Sequence, residues 1–306
     1  MKKILVTGGS GMVGRSLKDI LPNATYLSSK DCDLINQSEV NGLIKYNNYD
    51  IVIHLAAKVG GIMDNIKNPA DYFEDNVLMN TNLLKACKDN GVERFIGILS
   101  TCIYPDKVET YPMTEDMLHM GPPSPTNFSY GYAKRSLAVQ IEAYNQQYRT
   151  KYQYLTPCNL YGQYDKWGEN SHFVAALIKK IMFAATNGES TVQLFGTGKP
   201  LRQFMHSDDL AYIIKYCIDN NIYDSFNVAT EENISINDIA EIARPIVGAG
   251  VVNEFSYDPD KPDGQYRKDV SIEKMQSIIP HFKPITLKEG IQRTFDYLCK
   301  NHTTLI

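Results

Sequence analysis

Residues 1–14 read MKKILVTGGSGMVG, and this stretch decides the fold. A short apolar run, ILV, leads into glycines at positions 8, 11 and 14, where a helix is expected to begin. In such a strand-turn-helix unit one glycine permits a tight turn, one lets the backbone approach a pyrophosphate, and one lets the helix pack closely on the strand. The stretch therefore predicts a dinucleotide-binding turn made by Gly8, Ser10, Gly11, Met12, Val13 and Gly14.

Short apolar runs alternate with helical patterns through the first half of the chain. After KKILVTG come ATYLSS, DIVIHLAA, RFIGILS and YQYLTPCNLYG, with helices expected near 12–21, 70–90 and 130–148. Apolar runs bounded by Gly, Ser or Asn are typical of strands buried on both faces of a parallel sheet. The pattern predicts an α/β fold of the Rossmann type, a doubly wound parallel sheet.

In the second half of the chain, apolar runs and helical patterns alternate less regularly. Helices are expected near 172–186, 207–219 and 287–300, with short strands at VQLFG and SFNVAT. We expect residues 1–165 to form an NADP-binding Rossmann domain, with 203–230 as a candidate addition to it. Residues 166–306 are expected to form mainly a smaller C-terminal lobe that binds a nucleotide sugar.

Composition restricts the classes of function. The chain has 306 residues, 43% hydrophobic and 22% charged, and a formal net charge of -4, so no basic surface for nucleic acid is expected. Its apolar runs are shorter than the roughly 18 residues of a membrane span. The 6 cysteines occur without a CxxC pair or metal-ligand spacing, so we expect free thiols, no metal and a cytoplasmic protein.

The end of the second strand predicts which dinucleotide binds. An NAD-selective site places Asp or Glu there, whereas this chain offers two hydroxyls and a cation, which favour NADP(H): Ser28, Ser29 and Lys30. Further residues expected beside the cofactor follow this strand and the next one: Asp33, Leu34, Leu55, Ala56 and Ala57.

A candidate redox centre follows the fourth strand. Tyr130 and Lys134 are four residues apart and share one helical face. A phenol has a pKa near 10, so a nearby ammonium group makes it a better proton donor and acceptor at neutral pH. Ser100 ends the strand and is expected to hydrogen-bond the same carbonyl oxygen that Tyr130 protonates.

With these elements placed, the chain resembles the extended short-chain dehydrogenases that act on nucleotide sugars, and within them the GDP-L-fucose synthase family. The resemblance covers essentially the whole length and rests on GGSGMVG, HLAAKVGGI, STCIYPDK, SYGYAKR, NLYG, the segment at 170–172, FGTGKPLRQF and KPDGQYRK. It implies epimerisation of a GDP-4-keto-6-deoxy sugar at C3 and C5, reduction at C4 by NADPH, and a homodimer built on the helices near 70–90 and 130–148.

The resemblance also implies roles for individual residues. Cys102 and His172 correspond to the pair that moves protons during epimerisation; a thiolate is a competent base and an imidazole can return the proton. Asn159 and His172 are expected beside the cofactor, and the GDP-sugar contacts are Asn159, Lys180, Phe195, Arg202 and Lys268. Departures from the family pattern are Cys158 for Thr, Phe195 for Trp and Lys180 for Arg.

Three alternatives stay open on the sequence. One is C4 reduction, with or without epimerisation, of a related GDP-4-keto-6-deoxy-heptose, because a sugar pocket one carbon larger need not alter any of these motifs. Another is a nonredox epimerase or dehydratase that reduces and reoxidises bound NAD in each turnover. The last is a noncatalytic regulator that senses the cofactor. A regulator would not need the complete set of Ser100, Tyr130 and Lys134.

Overall fold

The computed structural model describes residues 2–168 and 171–301. The strands in chain order are β1 Ile4–Thr7, β2 Thr25–Leu27, β3 Ile51–His54, β4 Arg94–Ile98, β5 Lys151–Pro157, β6 Asn159–Tyr161, β7 Thr191–Phe195, β8 Leu201–Arg202, β9 Phe204–His206, β10 Phe226–Val228, β11 Ile234–Ser235 and β12 Glu254–Asp258. The helices are α1 Met12–Ile20, α2 Gln37–Asn47, α3 Ile62–Lys67, α4 Pro69–Asp89, α5 Phe128–Tyr148, α6 Phe173–Thr186, α7 Ser207–Asp219, α8 Ile236–Val247, α9 Glu273–Ile278 and α10 Leu287–Asn301.

Six strands form one parallel sheet in the order β10-β5-β4-β3-β1-β2. The central strands β3 and β4 are buried along their whole length, which explains why their sequences are continuous apolar runs and not alternating ones. The strand order reverses direction beside β1. In parallel sheets this reversal opens a crevice at the carboxyl ends of the strands.

Helices cover both faces of the sheet. α1 packs on α7, whereas α2 packs on α4 and α4 on α5. Right-handed crossovers place α1 opposite the helices that follow β2, β3 and β4, because the chain reverses its direction of travel across the sheet after β2. The predicted Rossmann-type, doubly wound α/β fold is confirmed.

The chain after β5 differs in detail from the sequence prediction. The run YQYLTPCNLYG is two strands: β5 lies in the main sheet, while β6 pairs with β9 in a separate two-stranded sheet. β10, from SFNVAT, forms the edge of the main sheet beside β5, and β12 pairs with β7. These long-range pairings cannot be read from the local pattern.

The buried side chains form two hydrophobic clusters. One surrounds the main sheet and includes residues of α7 and β10, such as Ile213 and Phe226; the other joins α6, α8 and α10 through residues such as Ile178, Ala243 and Ile291. We therefore propose that 203–230 belongs with the 1–165 domain, and that the second cluster is the centre of the smaller lobe within 166–306.

α4 and α5 each bury one apolar face and expose a few further apolar side chains. Leu83 and Leu84 on α4 are fully buried in the core. Leu78 is exposed, as are Phe73 on the same helix and Val139 on α5. A 3.6-residue period assigns the face only after the packing direction is known.

Within 2–168 and 171–301 no helix is long and apolar enough to span a membrane. The same residues contain no cluster of three or more His, Cys, Asp or Glu side chains suited to a metal ion. All six cysteines are unpaired thiols.

Candidate functional site

A cleft of about 1050 Å³ runs along the carboxyl edge of the main sheet and into the smaller lobe. Its lining contains every residue that the sequence placed at the site except Lys30. Loops that follow parallel strands meet at this edge, so residues far apart in the chain are gathered there.

The turn after β1 is shaped for close approach of a backbone or a ligand. Gly8 has a φ of 69°, and a Cβ on it would lie 2.7 Å from the amide nitrogen of Ala56. A Cβ on Gly14 would lie 2.6 Å from the carbonyl oxygen of Gly8. Gly11 is the N-cap of α1 and gives no side-chain cap, so the first amides of the helix lack a side-chain partner. Because the residues of this turn line the cleft, these amides suit a pyrophosphate.

The end of β2 is organised by a carboxylate. Asp31 accepts hydrogen bonds from the Ser28 amide at 2.8 Å and the Ser28 hydroxyl at 2.7 Å. These bonds, that from the hydroxyl first, hold the pKa of Asp31 below its ordinary value. Within the described chain Lys30 is an exposed residue of this turn and does not line the cleft. A role for Lys30 beside a 2′-phosphate stays a prediction from the sequence.

A second cavity, of about 490 Å³, adjoins the same turn. It shares Ser10 and Ser28 with the main cleft and is lined further by Arg15 and Lys18 of α1. The Arg15 guanidinium lies 4.1 Å from the centre of the Tyr164 ring. These α1 cations were missed in the sequence because they follow the glycine turn and resemble an ordinary solvated helix face.

His54, the last residue of β3, is fully buried and hydrogen-bonded through both ring nitrogens. Its ring nitrogens are 2.8 Å from the Thr7 hydroxyl and 3.0 Å from the Asn80 side-chain oxygen. Burial, and secondarily the charge of Lys134, lowers the pKa of His54 to about 3, so the ring is neutral. Leu55, Ala56 and Ala57 continue from it along the cleft wall.

Ser100, Tyr130 and Lys134 all line the cleft. The last two are buried on α5, and the Lys134 ammonium donates to the Ile98 carbonyl oxygen at 2.8 Å. Burial lowers the pKa of Lys134 to about 8. Burial first, then the charge of Cys102, raises the pKa of Tyr130 well above its ordinary value. The phenol is consequently protonated, the form that donates a proton to a carbonyl oxygen.

Cys102 lies in a short 3-10 helix, Thr101–Ile103, directly after Ser100. Burial alone would raise the pKa of its thiol, but the charge of Lys268 and hydrogen bonds from Ser100, Asn127 and Lys268 outweigh burial and lower the pKa. The Lys268 ammonium lies 3.7 Å from the sulfur. Lys268, expected to contact the GDP-sugar, is thus also adjacent to the candidate base.

His172 stands at the N-terminus of α6 beside a buried carboxylate. Its Nδ1 is 2.7 Å from Oδ1 of Asp165, whose side chain is 1% exposed, while the His172 side chain is 46% exposed. The hydrogen bond that the His172 ring donates to Asp165 is the main cause of the raised pKa of His172, against the opposing effect of burial. The imidazolium therefore persists to a higher pH, as a proton donor requires.

The cleft wall in the smaller lobe carries the remaining predicted contacts. The Lys180 ammonium lies 4.5 Å from the centre of the Phe195 ring, which is 60% exposed and free to stack on a base or sugar. Asn159 donates to the Gln203 carbonyl oxygen at 2.8 Å, and Arg202 donates to the Leu201 carbonyl oxygen at 2.8 Å. Asn170, part of the quoted family motif, lies outside the described residues.

Sequence reasoning missed Asn127 and Asp165. Asn127 is three residues before Tyr130, a spacing that faces the same way on a helix, and Asp165 follows the NLYG motif closely. Both positions were therefore visible in the sequence, but an Asn or Asp side chain indicates no function until the group that it contacts is known. The partners, Cys102 and His172, became apparent only in the folded chain.

The glycine turn, the parallel sheet and the Tyr130–Lys134 pair at its carboxyl edge define a Rossmann-type protein of the short-chain dehydrogenase class. The chain belongs to the NAD dependent epimerase/dehydratase family, whose model matches residues 4–229.

Comparisons with individual proteins agree with the resemblance seen in the motifs. The chain is 35% identical to the GDP-L-fucose synthase of Dictyostelium discoideum, over 99% of this chain and 97% of the relative. The solved structure of a GDP-L-fucose synthetase from Naegleria fowleri bound to NADP has a TM-score of 0.89, 33% identity, and coverage of 99% of this chain and 94% of that one. A GDP-mannoheptose C4 reductase from Campylobacter jejuni with NADP bound has a TM-score of 0.85 at 25% identity, with coverage of 97% and 98%.

Proposed function

We propose that the protein epimerises a GDP-4-keto-6-deoxy sugar at C3 and C5 and reduces it at C4 with NADPH, with GDP-4-keto-6-deoxy-D-mannose as substrate and GDP-L-fucose as product. One observation carries the proposal: a cation-paired thiol, Cys102, and a carboxylate-paired imidazole, His172, line the same cleft as Ser100, Tyr130 and Lys134. A simple reductase needs only the last three groups.

Epimerisation follows from the acidity of hydrogens beside a ketone. The Tyr130 phenol and the Ser100 hydroxyl hydrogen-bond the C4 oxygen, so negative charge can develop on it. The Cys102 thiolate removes the proton from C3 or C5; the C–H electron pair moves toward the ketone and leaves an enolate. His172 delivers a proton to the opposite face of that carbon as the enolate returns to the ketone. Solvent exchange then resets the thiol and the imidazole.

Reduction uses the other set of groups. The glycine turn, the residues after β2 and β3, and Lys134 would hold the dinucleotide, which when bound supplies hydride to C4. Tyr130 donates its proton to the C4 oxygen, and Ser100 shares the developing charge. Arg15 and Lys18, in the second cavity, are suitably placed for the 2′-phosphate that distinguishes NADP from NAD.

GDP recognition is proposed for the wall in the smaller lobe. Phe195 offers an exposed ring to the base, while Lys180 and Arg202 offer positive charge to the diphosphate. Asn159, beside β9, would position the sugar. The similarity to a GDP-mannoheptose C4 reductase supports a second candidate, reduction of a heptose at C4 in the same cleft.

We further propose a cytoplasmic homodimer. The exposed apolar residues Phe73, Leu78 and Val139 lie on the packed pair α4 and α5 and suit contact with a second copy. Six unpaired thiols fit a reducing compartment. Analytical ultracentrifugation of the wild type and of a Leu78→Glu variant tests the dimer: a wild type that sediments as a monomer refutes it.

The decisive experiment is turnover with NADPH in deuterated water, with the product analysed by NMR. We expect one NADPH consumed per product and deuterium at C3 and C5, with loss of the deuterium in Cys102→Ser and His172→Gln variants. Reduction without deuterium supports the C4 reductase, and a heptose substrate preferred over the 6-deoxy-hexose identifies the second candidate. Turnover without net NADPH consumption would instead identify a nonredox epimerase or dehydratase.

A further inference from the structure

Lys268 has an unusual environment for a lysine. Among the residues described, its ammonium forms no ion pair with a carboxylate, and its hydrogen-bond partner is the sulfur of Cys102 at 3.7 Å. The neighbouring carboxylate, Asp269, is occupied by Arg267, whose Nε lies 2.6 Å from Oδ1. The positive charge of Lys268 therefore acts on the Cys102 thiol and is not neutralised by Asp269.

The backbone beside Lys268 is firmly held. The Met113 amide donates to the Asp269 carbonyl oxygen at 2.9 Å, and the Val270 amide donates to the Gln203 side-chain oxygen at 2.9 Å. Asp269 and Val270 are 4% and 1% exposed. The backbone that follows Lys268 is thus fixed, so mainly the side-chain rotamers of Lys268 are restricted when its ammonium contacts the sulfur.

A third residue completes the environment of the sulfur. Asn127 stands at the N-cap of α5, a position where Asn normally accepts hydrogen bonds from the helix amides, yet its side chain makes no cap bond. The Asn127 and Ser100 side chains are instead near enough to Cys102 to help lower the pKa of its thiol. The Ser100 hydroxyl also accepts a hydrogen bond from the Cys102 backbone amide at 3.3 Å. Two polar side chains thus accompany Lys268 beside the thiol.

We propose that Lys268 is a positioning residue that keeps Cys102 as a thiolate ready to remove a proton. The function of this thiolate rests on the proposed epimerisation, but the test below does not require turnover. The proposed role of Lys268 differs from that of a diphosphate ligand, which Lys180 and Arg202 can provide.

Other charged or titratable groups also face the sulfur. Tyr130 on α5 and Arg202 on β8 both interact electrostatically with Cys102. The protonated Tyr130 contributes no charge, and the Arg202 guanidinium donates to backbone carbonyl oxygens. Of these groups, Lys268 is the one with a direct contact between a positive charge and the sulfur.

Alkylation by iodoacetamide reports the thiolate directly, because only the ionised sulfur reacts at an appreciable rate. The full-length protein is alkylated across a neutral to alkaline pH series, without cofactor or substrate, and the rate at Cys102 is followed by peptide mass spectrometry. For Lys268→Met we expect a rate near neutral pH about tenfold below wild type, with the two rates converging at alkaline pH. Lys268→Arg should keep most of the wild-type rate.

Two controls separate a local effect from misfolding or a general change of charge. Lys180→Met removes a cation from the same cleft and should leave the Cys102 profile unchanged. Cys299 on α10 lies outside the cleft, and its alkylation rate should be the same in all variants if the fold is intact.

The inference is overturned if the Lys268→Met profile at Cys102 superimposes on wild type, or if Lys180→Met lowers the rate equally. Failure of the proposed function has a different signature. Absence of deuterium at C3 and C5 during wild-type turnover would refute epimerisation even when the alkylation profile depends on Lys268.

Discussion

Replacement of Asp165 by Asn tests whether His172 returns the proton during epimerisation. The substitution keeps the size of the side chain but removes its charge, which faces Nδ1 of His172 at 2.7 Å. We expect slower proton return and an imidazole that loses its proton at lower pH, because the hydrogen bond that His172 donates to Asp165 is the main cause of the raised pKa of His172.

The size of the effect follows from the geometry. A hydrogen bond to a charged group contributes about 1.5–3 kcal/mol. The His172 side chain is 46% exposed, so solvent screening reduces the effect to about 1 kcal/mol, or roughly a fivefold lower rate. Asp165→Ala, which also removes the orienting acceptor, should lower the rate further.

The pH dependence of epimerisation shows in which direction the pKa of His172 moves. His172 acts in its protonated form, so epimerisation falls on the alkaline side as pH rises through its pKa, and Asp165→Asn should move that fall to lower pH. The same pair stabilises the fold below the ordinary histidine pKa of about 6.5, a contribution lost as pH rises through the raised folded value.

The assay is deuterium incorporation at C3 and C5 as a function of pH, alongside KM and kcat. Asp208→Asn is a matched control, since Asp208 lies 3.4 Å from the buried His206 and neither residue lines the main cleft. Asp208→Asn should leave the pH at which epimerisation falls on the alkaline side unchanged. The positioning of His172 by Asp165 is refuted if Asp165→Asn has the exchange rate and the alkaline pH dependence of wild type while His172→Gln abolishes exchange.

Three further outcomes are expected. Gly14→Ala should abolish dinucleotide binding in a fluorescence titration or unfold the turn, because its Cβ would lie 2.6 Å from the Gly8 carbonyl oxygen; unchanged affinity and stability contradict this packing. Tyr130→Phe should lower NADPH oxidation by about 10²–10⁴-fold while the titrated NADPH affinity stays near wild type, and a fully active variant would exclude the phenol as proton donor. Arg15→Ala should weaken NADPH binding about tenfold and leave NADH binding unchanged, as expected for loss of a charged phosphate contact; equal loss for both dinucleotides would place the effect elsewhere.

Several elements escaped sequence analysis although local signals were present. α2 is capped by Asn36, whose side-chain oxygen accepts hydrogen bonds from the amides of Ser38 and Glu39, and the first turn holds an acidic residue. α8 contains Pro245, which obscures its helical pattern. Lys30 shows a limit of residue type as a signal: it suits a phosphate, but the hydrogen bonds that Ser28 donates to Asp31 shape a turn in which Lys30 is exposed and not part of the cleft lining.

The sequence by itself determined the dinucleotide turn, the buried parallel strands and the Tyr130–Lys134 pair. These features depend on backbone sterics, hydrophobic periodicity and helical spacing within a few residues, so the chain encodes them locally. Only the tertiary structure decided that β10 closes the sheet beside β5 and that Lys268 contacts Cys102, which lies 166 residues earlier in the chain. Such contacts depend on how strands and loops from distant segments meet at one edge of the sheet, and no local pattern specifies that meeting.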